Sequence, residues 1–251
     1  MSGKIVDCFT FYNGLDVLEV RLNSLAPHVD SFVIVESPYD MVGKRKPLVF
    51  DEHKKERRFS KFNIIHLVVS DHLEHMSPKW EPYYYQIDYL MRGLHNVGED
   101  DMVFLSDFDE IPDMSTYIGG EGIFHQRLYY YYFNVFTGEA RWPGTTATLK
   151  RNIINLRSIR QHIKKVPVVG IGWHFSYISP VEDIIKKIEA FCHRELDTEE
   201  IKKMVAQRKS NLQDPFGRSE KRFVVEEPSG PEWLLNNYKE FGHLFYEETK
   251  R

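Results

Sequence analysis

Asp107 and Asp109 stand two residues apart at the end of an apolar run, Met102-Val103-Phe104-Leu105-Ser106, and Glu110-Ile111-Pro112 follow directly. Side chains two apart on an extended chain point the same way, so both carboxylates can share one hard cation, directly or through water. Magnesium suits such a site because one or two carboxylates hold it while substrate phosphates complete its shell, and manganese takes the same oxygen donors. A diphosphate-linked donor is the matching substrate. Three acids packed this closely repel one another unless a metal ion or a basic side chain compensates them, and a metal ion is the simplest compensator. The competing reading is an ordinary acidic turn closed by Pro112. A nucleophilic aspartate of the Asp-x-Asp-Gly-Thr kind is disfavoured because Glu110-Ile111 stand where Gly-Thr would be.

Four further residues are candidates by type and place. His174 lies in Gly170-Ile171-Gly172-Trp173-His174-Phe175-Ser176, a glycine-flanked strand end. Glycine lets backbone approach a ligand closely, and a neutral imidazole can complete a metal shell or touch a phosphate; a hydrogen-bonded structural histidine is the other reading. Glu36 ends the run Ser31-Phe32-Val33-Ile34-Val35 and can receive hydrogen bonds from a base or ribose, or be a surface carboxylate at a strand end. Lys46, in Gly43-Lys44-Arg45-Lys46-Pro47, can neutralise donor phosphates, although charge runs are commonly solvated faces. Asn13 follows the first apolar run and reads both as a helix N-cap and as a contact for the donor. Aromatic rings crowd Trp80 to Tyr89 and Tyr129 to Phe136, where flat apolar faces can pack a core or carry a sugar.

The elements that would bring these residues together are legible as alternating strands and helices. Lys4 to Phe11, Ser31 to Glu36, Asn63 to Val69 and Asp101 to Leu105 read as buried strands, while Leu15, Leu18, Leu22 and Leu25 recur at helical spacing. Tyr84 to His95 reads as a further helix. This alternation predicts an α/β fold with a mainly parallel sheet flanked by helices over residues 1–112. Ligands of such sheets bind beyond the carboxyl ends of the strands, where Asn13, Glu36 and residues 107–110 would meet. Residues 113–251 predict a mixed extension on the acceptor side, with sheet over Ile123 to Phe136, Thr145 to Lys150 and Val166 to Ile171. Three helices follow: Ser179-Pro180-Val181-Glu182 opens one with a capping-box spacing, and Thr198 to Lys209 and Pro231 to Lys239 supply the others. The whole chain, 1–251, reads as one domain.

Length and composition narrow the function classes. The 251 residues are 42% hydrophobic, enough for one large core, and the net charge is -4. An acidic balance excludes a broad nucleic-acid footprint. Cys8 and Cys192 form neither a disulfide framework nor a thiolate metal motif, which fits a reducing compartment. No stretch approaches the ~20 apolar residues of a membrane span, and no targeting segment is evident, so a soluble cytoplasmic protein is expected.

Several stretches together resemble glycosyltransferase family 17, the family of the N-acetylglucosaminyltransferase that adds bisecting GlcNAc to N-glycans. They are Asp16-Val17-Leu18-Glu19-Val20-Arg21, Val29 through Ser37, Lys46-Pro47-Leu48 with Phe50, Asp107 through Pro112, Gly172-Trp173-His174 with Ser176, and Leu234-Leu235-Asn236-Asn237-Tyr238. The resemblance implies a GT-A-like fold and a nucleotide-diphosphate sugar donor, UDP-GlcNAc favoured. It implies transfer to a hydroxyl of a glycan or glycoprotein with inversion, and Asp107 and Asp109 holding the metal diphosphate as Mn2+ or Mg2+, with His174 as a further ligand. Inverting transfer needs a base for the acceptor hydroxyl. With no acid between Glu139 and Glu182, the candidates are Glu110, Glu139, Glu182 and Asp183, with His174 beside them; Glu110, next to Asp109, is favoured. The alternative function is a nucleotide-sugar or carbohydrate-binding protein without turnover.

Overall fold

The computed structural model describes residues 3–71, 80–162, 166–219 and 221–247. Strands β1 (Ile5–Phe11), β2 (Ser31–Glu36), β3 (Ile64–Val68) and β4 (Met102–Asp107) form the parallel half, in the order β4-β1-β2-β3. Their residues alternate between two cores as a period of two requires. Phe9, Phe11, Phe32 and Ile34 face one side with helix α1 (Leu15–Leu25), whereas Cys8, Val33, Val35, Val103 and Leu105 face the other. Short helices α2 (Val49–His53) and α3 (Arg57–Ser60) fill the polar insertion before β3, and α4 (Glu81–Tyr89) covers the second face. The helix expected to reach His95 tightens into a 3-10 turn at Leu90–Gly93, where Gly93 packs so close to β2 that a Cβ would run into the side chain of Val33.

The second half is antiparallel and mixed. After β5 (Glu110–Pro112) come β6 (Gly122–Tyr130), β7 (Val135–Phe136) and β8 (Trp142–Leu149). Helix α5 (Leu156–Gln161) precedes the long strand β9 (Val168–Ser176), which is followed by α6 (Val181–Ala190), α7 (Glu199–Ser210), β10 (Val224–Val225), α8 (Glu232–Asn236) and α9 (Tyr238–Phe241). β8 joins β4 antiparallel and β6 follows it; β9 then runs parallel to β6, and β5 pairs antiparallel with β9. The path β4-β8-β6-β9-β5 therefore returns to its start, with only Phe108 and Asp109 between β4 and β5. The sheet as a whole is mixed, and its parallel character is confined to β1–β4 and the β6-β9 pair.

Three local expectations are corrected. Asn13 does not cap α1: the N-cap is Gly14, at φ 108°, where a Cβ would sit 3.1 Å from the Phe108 ring, and the Asn13 side chain turns back onto the Gly14 N–H. Ser179 and Glu182 form no capping box, because Pro180 is the N-cap of α6 and its ring nitrogen and side chain offer no cap. The single helix expected over Pro231 to Lys239 breaks at Asn237 into α8 and α9. Among the described residues no helix is long and apolar enough to cross a membrane.

Candidate active site

The acidic turn is held from beneath by Arg21, a fully buried side chain of α1. Its guanidinium pairs with buried Asp7 at 2.6 Å and receives further support from Ser106 Oγ. Its Nη1 donates to the carbonyl oxygens of Asp107, Phe108 and Glu110 at 3.1, 3.2 and 2.7 Å. One planar fork thus ties three carbonyls of a chain reversal to the first helix. Glycines 170 and 172, expected to admit a ligand, make room for the protein instead: a Cβ at position 170 would meet the Phe124 ring, and one at 172 would meet the Ile111 carbonyl in the neighbouring strand.

Each aspartate has its own cation. Asp107 Oδ2 accepts from Arg160 Nη2 of α5 at 2.9 Å, and Oδ1 accepts from the Tyr83 hydroxyl of α4 at 3.0 Å. Asp109 Oδ2 accepts from Lys187 of α6 at 3.1 Å, with His174 Nε2 at 3.5 Å from Oδ1. Burial would raise the Asp109 carboxyl, but the Lys187 ammonium and the His174 imidazole outweigh it and hold the group far below the usual carboxylate range. For Asp107 burial wins: its carboxyl is pushed up, Arg160 offsets this only in part, and the charges of Glu110 and Asp109 add to the rise. Among the described residues, buried His174 Nδ1 has no hydrogen-bond partner.

Glu110 is fully enclosed. Its carboxylate accepts from Trp142 Nε1 (2.9 Å), from the Asp107 N–H (2.9 Å) and from Arg160 Nη1 (3.0 Å), so it organises the turn and offers no open face to a substrate. Glu36 is likewise committed: it accepts from the N–H groups of Phe50 and Asp51 at the start of α2, with Lys46 at 3.8 Å. Burial lowers the Lys46 ammonium, and its Nζ sits 5.3 Å from the Tyr12 ring centre.

Asn13 lies on the Asp109 side of the turn. It lines a cleft with Tyr12, Phe108, Asp109, Asp183 and Lys187, so that the β1-α1 loop, the acidic turn and the first turns of α6 meet there. Among the described residues no three metal-ligating side chains converge on one point. Asp107, Asp109 and Glu110 lie against two permanent cations, Arg160 and Lys187, with His174 beside Asp109, while Arg21 is balanced by Asp7. Hard carboxylate oxygens at a strand end, partly exposed at Asp107, fit magnesium or manganese carried in with a diphosphate.

The comparisons with known proteins agree with the motifs. The model of glycosyltransferase family 17 matches residues 1–220. The chain belongs to glycosyltransferase family 17. Curated relatives named beta-1,4-mannosyl-glycoprotein 4-beta-N-acetylglucosaminyltransferase are 23% identical in Rattus norvegicus and in Mus musculus, over 98% of this chain and 56% of each relative. The protein of that name from Homo sapiens is 28% identical over 50% of this chain and 24% of its own length. The chain spans about half the length of the rat and mouse relatives it matches.

Within this family 17 chain, sequence reasoning missed Arg160, Lys187 and Tyr83 and read Arg21 only as part of a matching stretch. The one available signal was the need for a basic compensator near three acids. Nothing local singles out Arg160, 53 residues from Asp107, or Lys187, 78 residues from Asp109.

Proposed function

We propose that this chain is an inverting, metal-dependent glycosyltransferase of GT-A-like architecture. It moves a sugar, GlcNAc favoured, from a UDP-linked donor to a hydroxyl of a glycan on a glycoprotein. The observation that carries the reading is an acidic turn at the carboxyl edge of a parallel sheet, locked by Arg21 and flanked by Arg160 and Lys187, in a family 17 chain. The relatives' names supply the sugar and the β-mannosyl acceptor class.

Asp107 and Asp109 are the carboxylates that would hold Mn2+ or Mg2+, whose chemistry is to stabilise charge on the departing diphosphate. Lys187 and Arg160 add fixed positive charge on either aspartate, so the developing negative charge meets cations already in place. Asn13 borders the same cleft and can orient the donor. For the acceptor proton, Asp183 is the carboxylate that lines this cleft beside Asp109, and it replaces Glu110 as the assigned base. Trp80, 40% exposed and edge-on to Tyr83, offers a ring for a sugar face near Asp107. The free buried thiols Cys8 and Cys192 fit a cytoplasmic setting.

The deciding experiment incubates the protein with UDP-GlcNAc, Mn2+ and a β-mannosyl glycan and follows UDP release and product mass. Transfer that stops on chelation supports the reading. UDP-GlcNAc binding without transfer or hydrolysis across a broad acceptor panel would make the protein a sugar-nucleotide binder.

A further inference from the structure

Arg160 spreads its guanidinium over five acceptor atoms that differ in enclosure. Nη1 donates to Glu110 Oε2 at 3.0 Å and to the Gly144 carbonyl at 3.2 Å, both inside the protein. Nη2 donates to Asp107 Oδ2 at 2.9 Å and, at a longer 3.4 Å, to Glu110 Oε1, and Nε donates to the Tyr83 hydroxyl at 3.1 Å. The Glu110 side chain is 0% exposed and that of Asp107 is 29% exposed, so one edge of the fork is anchored and the other meets the rim of the site. A carboxylate oxygen that faces a guanidinium at the rim cannot pass to a divalent cation without giving up its Nη2 hydrogen bond, even though Arg160 keeps its pair with Glu110.

We propose that Arg160 is a hand-over residue: it neutralises Asp107 until a metal diphosphate arrives, then keeps its Nη1 anchor and transfers its Nη2 hydrogen bond from Asp107 to a phosphate oxygen. The inference rests on the donor reading given above and adds a coupling to it. A divalent cation alone must displace Arg160 from Asp107 and give nothing back. A cation that enters with a diphosphate brings a new planar-matched anion for the same fork. Metal and nucleotide should therefore bind together far better than either alone, and the coupling should pass through Arg160.

The test measures free Mn2+ by electron paramagnetic resonance in titrations of the full chain, with and without UDP. The native chain should bind Mn2+ at least about tenfold more tightly with UDP than without it. Arg160→Gln should bind Mn2+ alone about fivefold or more tighter than the native chain and lose most of the UDP coupling. Arg160→Lys, which keeps the charge but not the fork, should fall between the two. A merely structural role predicts the opposite sign, since a loosened site weakens metal binding. The hand-over is overturned if Arg160→Gln, unfolding cooperatively as the native chain does, binds Mn2+ alone no better. It is overturned equally if the native chain binds Mn2+ with the same affinity in the presence and absence of UDP, which needs no variant. Native chain that takes up no Mn2+ even with UDP would remove the metal-dependent reading itself, and the hand-over with it.

Discussion

Arg21 Nη1 lies 2.7 Å from the carbonyl oxygen of Glu110, a hydrogen bond across 89 residues that fastens the acidic turn to the first helix. The same guanidinium neutralises Asp7 in a setting with no solvent exposure on either side chain. Position and stability are thus carried by one residue that touches no substrate.

Arg21→Met should accordingly be among the most damaging single changes. It strands Asp7 as a buried charge and frees three carbonyls, and loss of one partner from a buried pair costs roughly 3–5 kcal/mol. Urea unfolding of the variant would measure this directly. A loss under about 1 kcal/mol would mean that the pair is replaced without strain.

Asp107→Ala and Asp109→Ala should each lower kcat/KM at least about a hundredfold, the scale of removing a transition-state electrostatic partner. The two variants should differ in what else they do. Asp107 is partly exposed and Arg160 keeps Glu110, so Asp107→Ala should melt close to the native chain, whereas Asp109→Ala strands Lys187. Near-native turnover in either variant would remove that aspartate from the mechanism.

The Lys187–Asp109 pair has a pH signature. The Asp109 carboxyl is depressed in the folded state, so its contribution is present above its ordinary titration range and is lost as pH falls toward the folded value. Lys187→Met should cost about 2–3 kcal/mol at about pH 7, less than a fully enclosed pair because the lysine side chain is 24% exposed. The stability gap between native and variant chains should close as pH drops below about 4, where the unfolded carboxyl binds its proton first. Parallel chemical denaturation curves across that range check it; a constant gap would mean that the ammonium acts through packing alone.

The parallel half was legible because its strands are apolar runs of five to seven residues with helical spacing between them, and β1 through β4 fall where those runs lie. What periodicity cannot carry is who pairs with whom. β8 inserts beside β4 and β9 beside β6 through contacts set by tertiary packing, and that pairing decides what Gly170 and Gly172 are for. The aspartates at 107 and 109 were visible as residue types at a strand end. Their partners were not, since Arg160 and Lys187 sit in helices whose spacing looks like any amphipathic surface. The partners of Glu36 were hidden for the same reason: a carboxylate at a strand end reads alike whether it faces a ligand or accepts from the first turn of α2.

The choice of base can be made by two amide substitutions that change different properties. All three of the close donors to Glu110, on Trp142, Asp107 and Arg160, need an acceptor, and an amide offers one oxygen where the carboxylate offers two. Glu110→Gln should therefore lose about 1–3 kcal/mol of stability, the cost of unsatisfied buried donors, with turnover falling only as far as the turn is loosened. Asp183 stands in the first turn of α6, paired with Lys186 at 2.9 Å and open to the cleft. Asp183→Asn should leave stability within about 1 kcal/mol, the scale of a first-turn charge on a helix. If Asp183 takes the acceptor proton, that variant loses about 10²–10⁴-fold in kcat, while UDP binding is retained. Full turnover by Asp183→Asn together with a dead but folded Glu110→Gln would return the role to the enclosed glutamate.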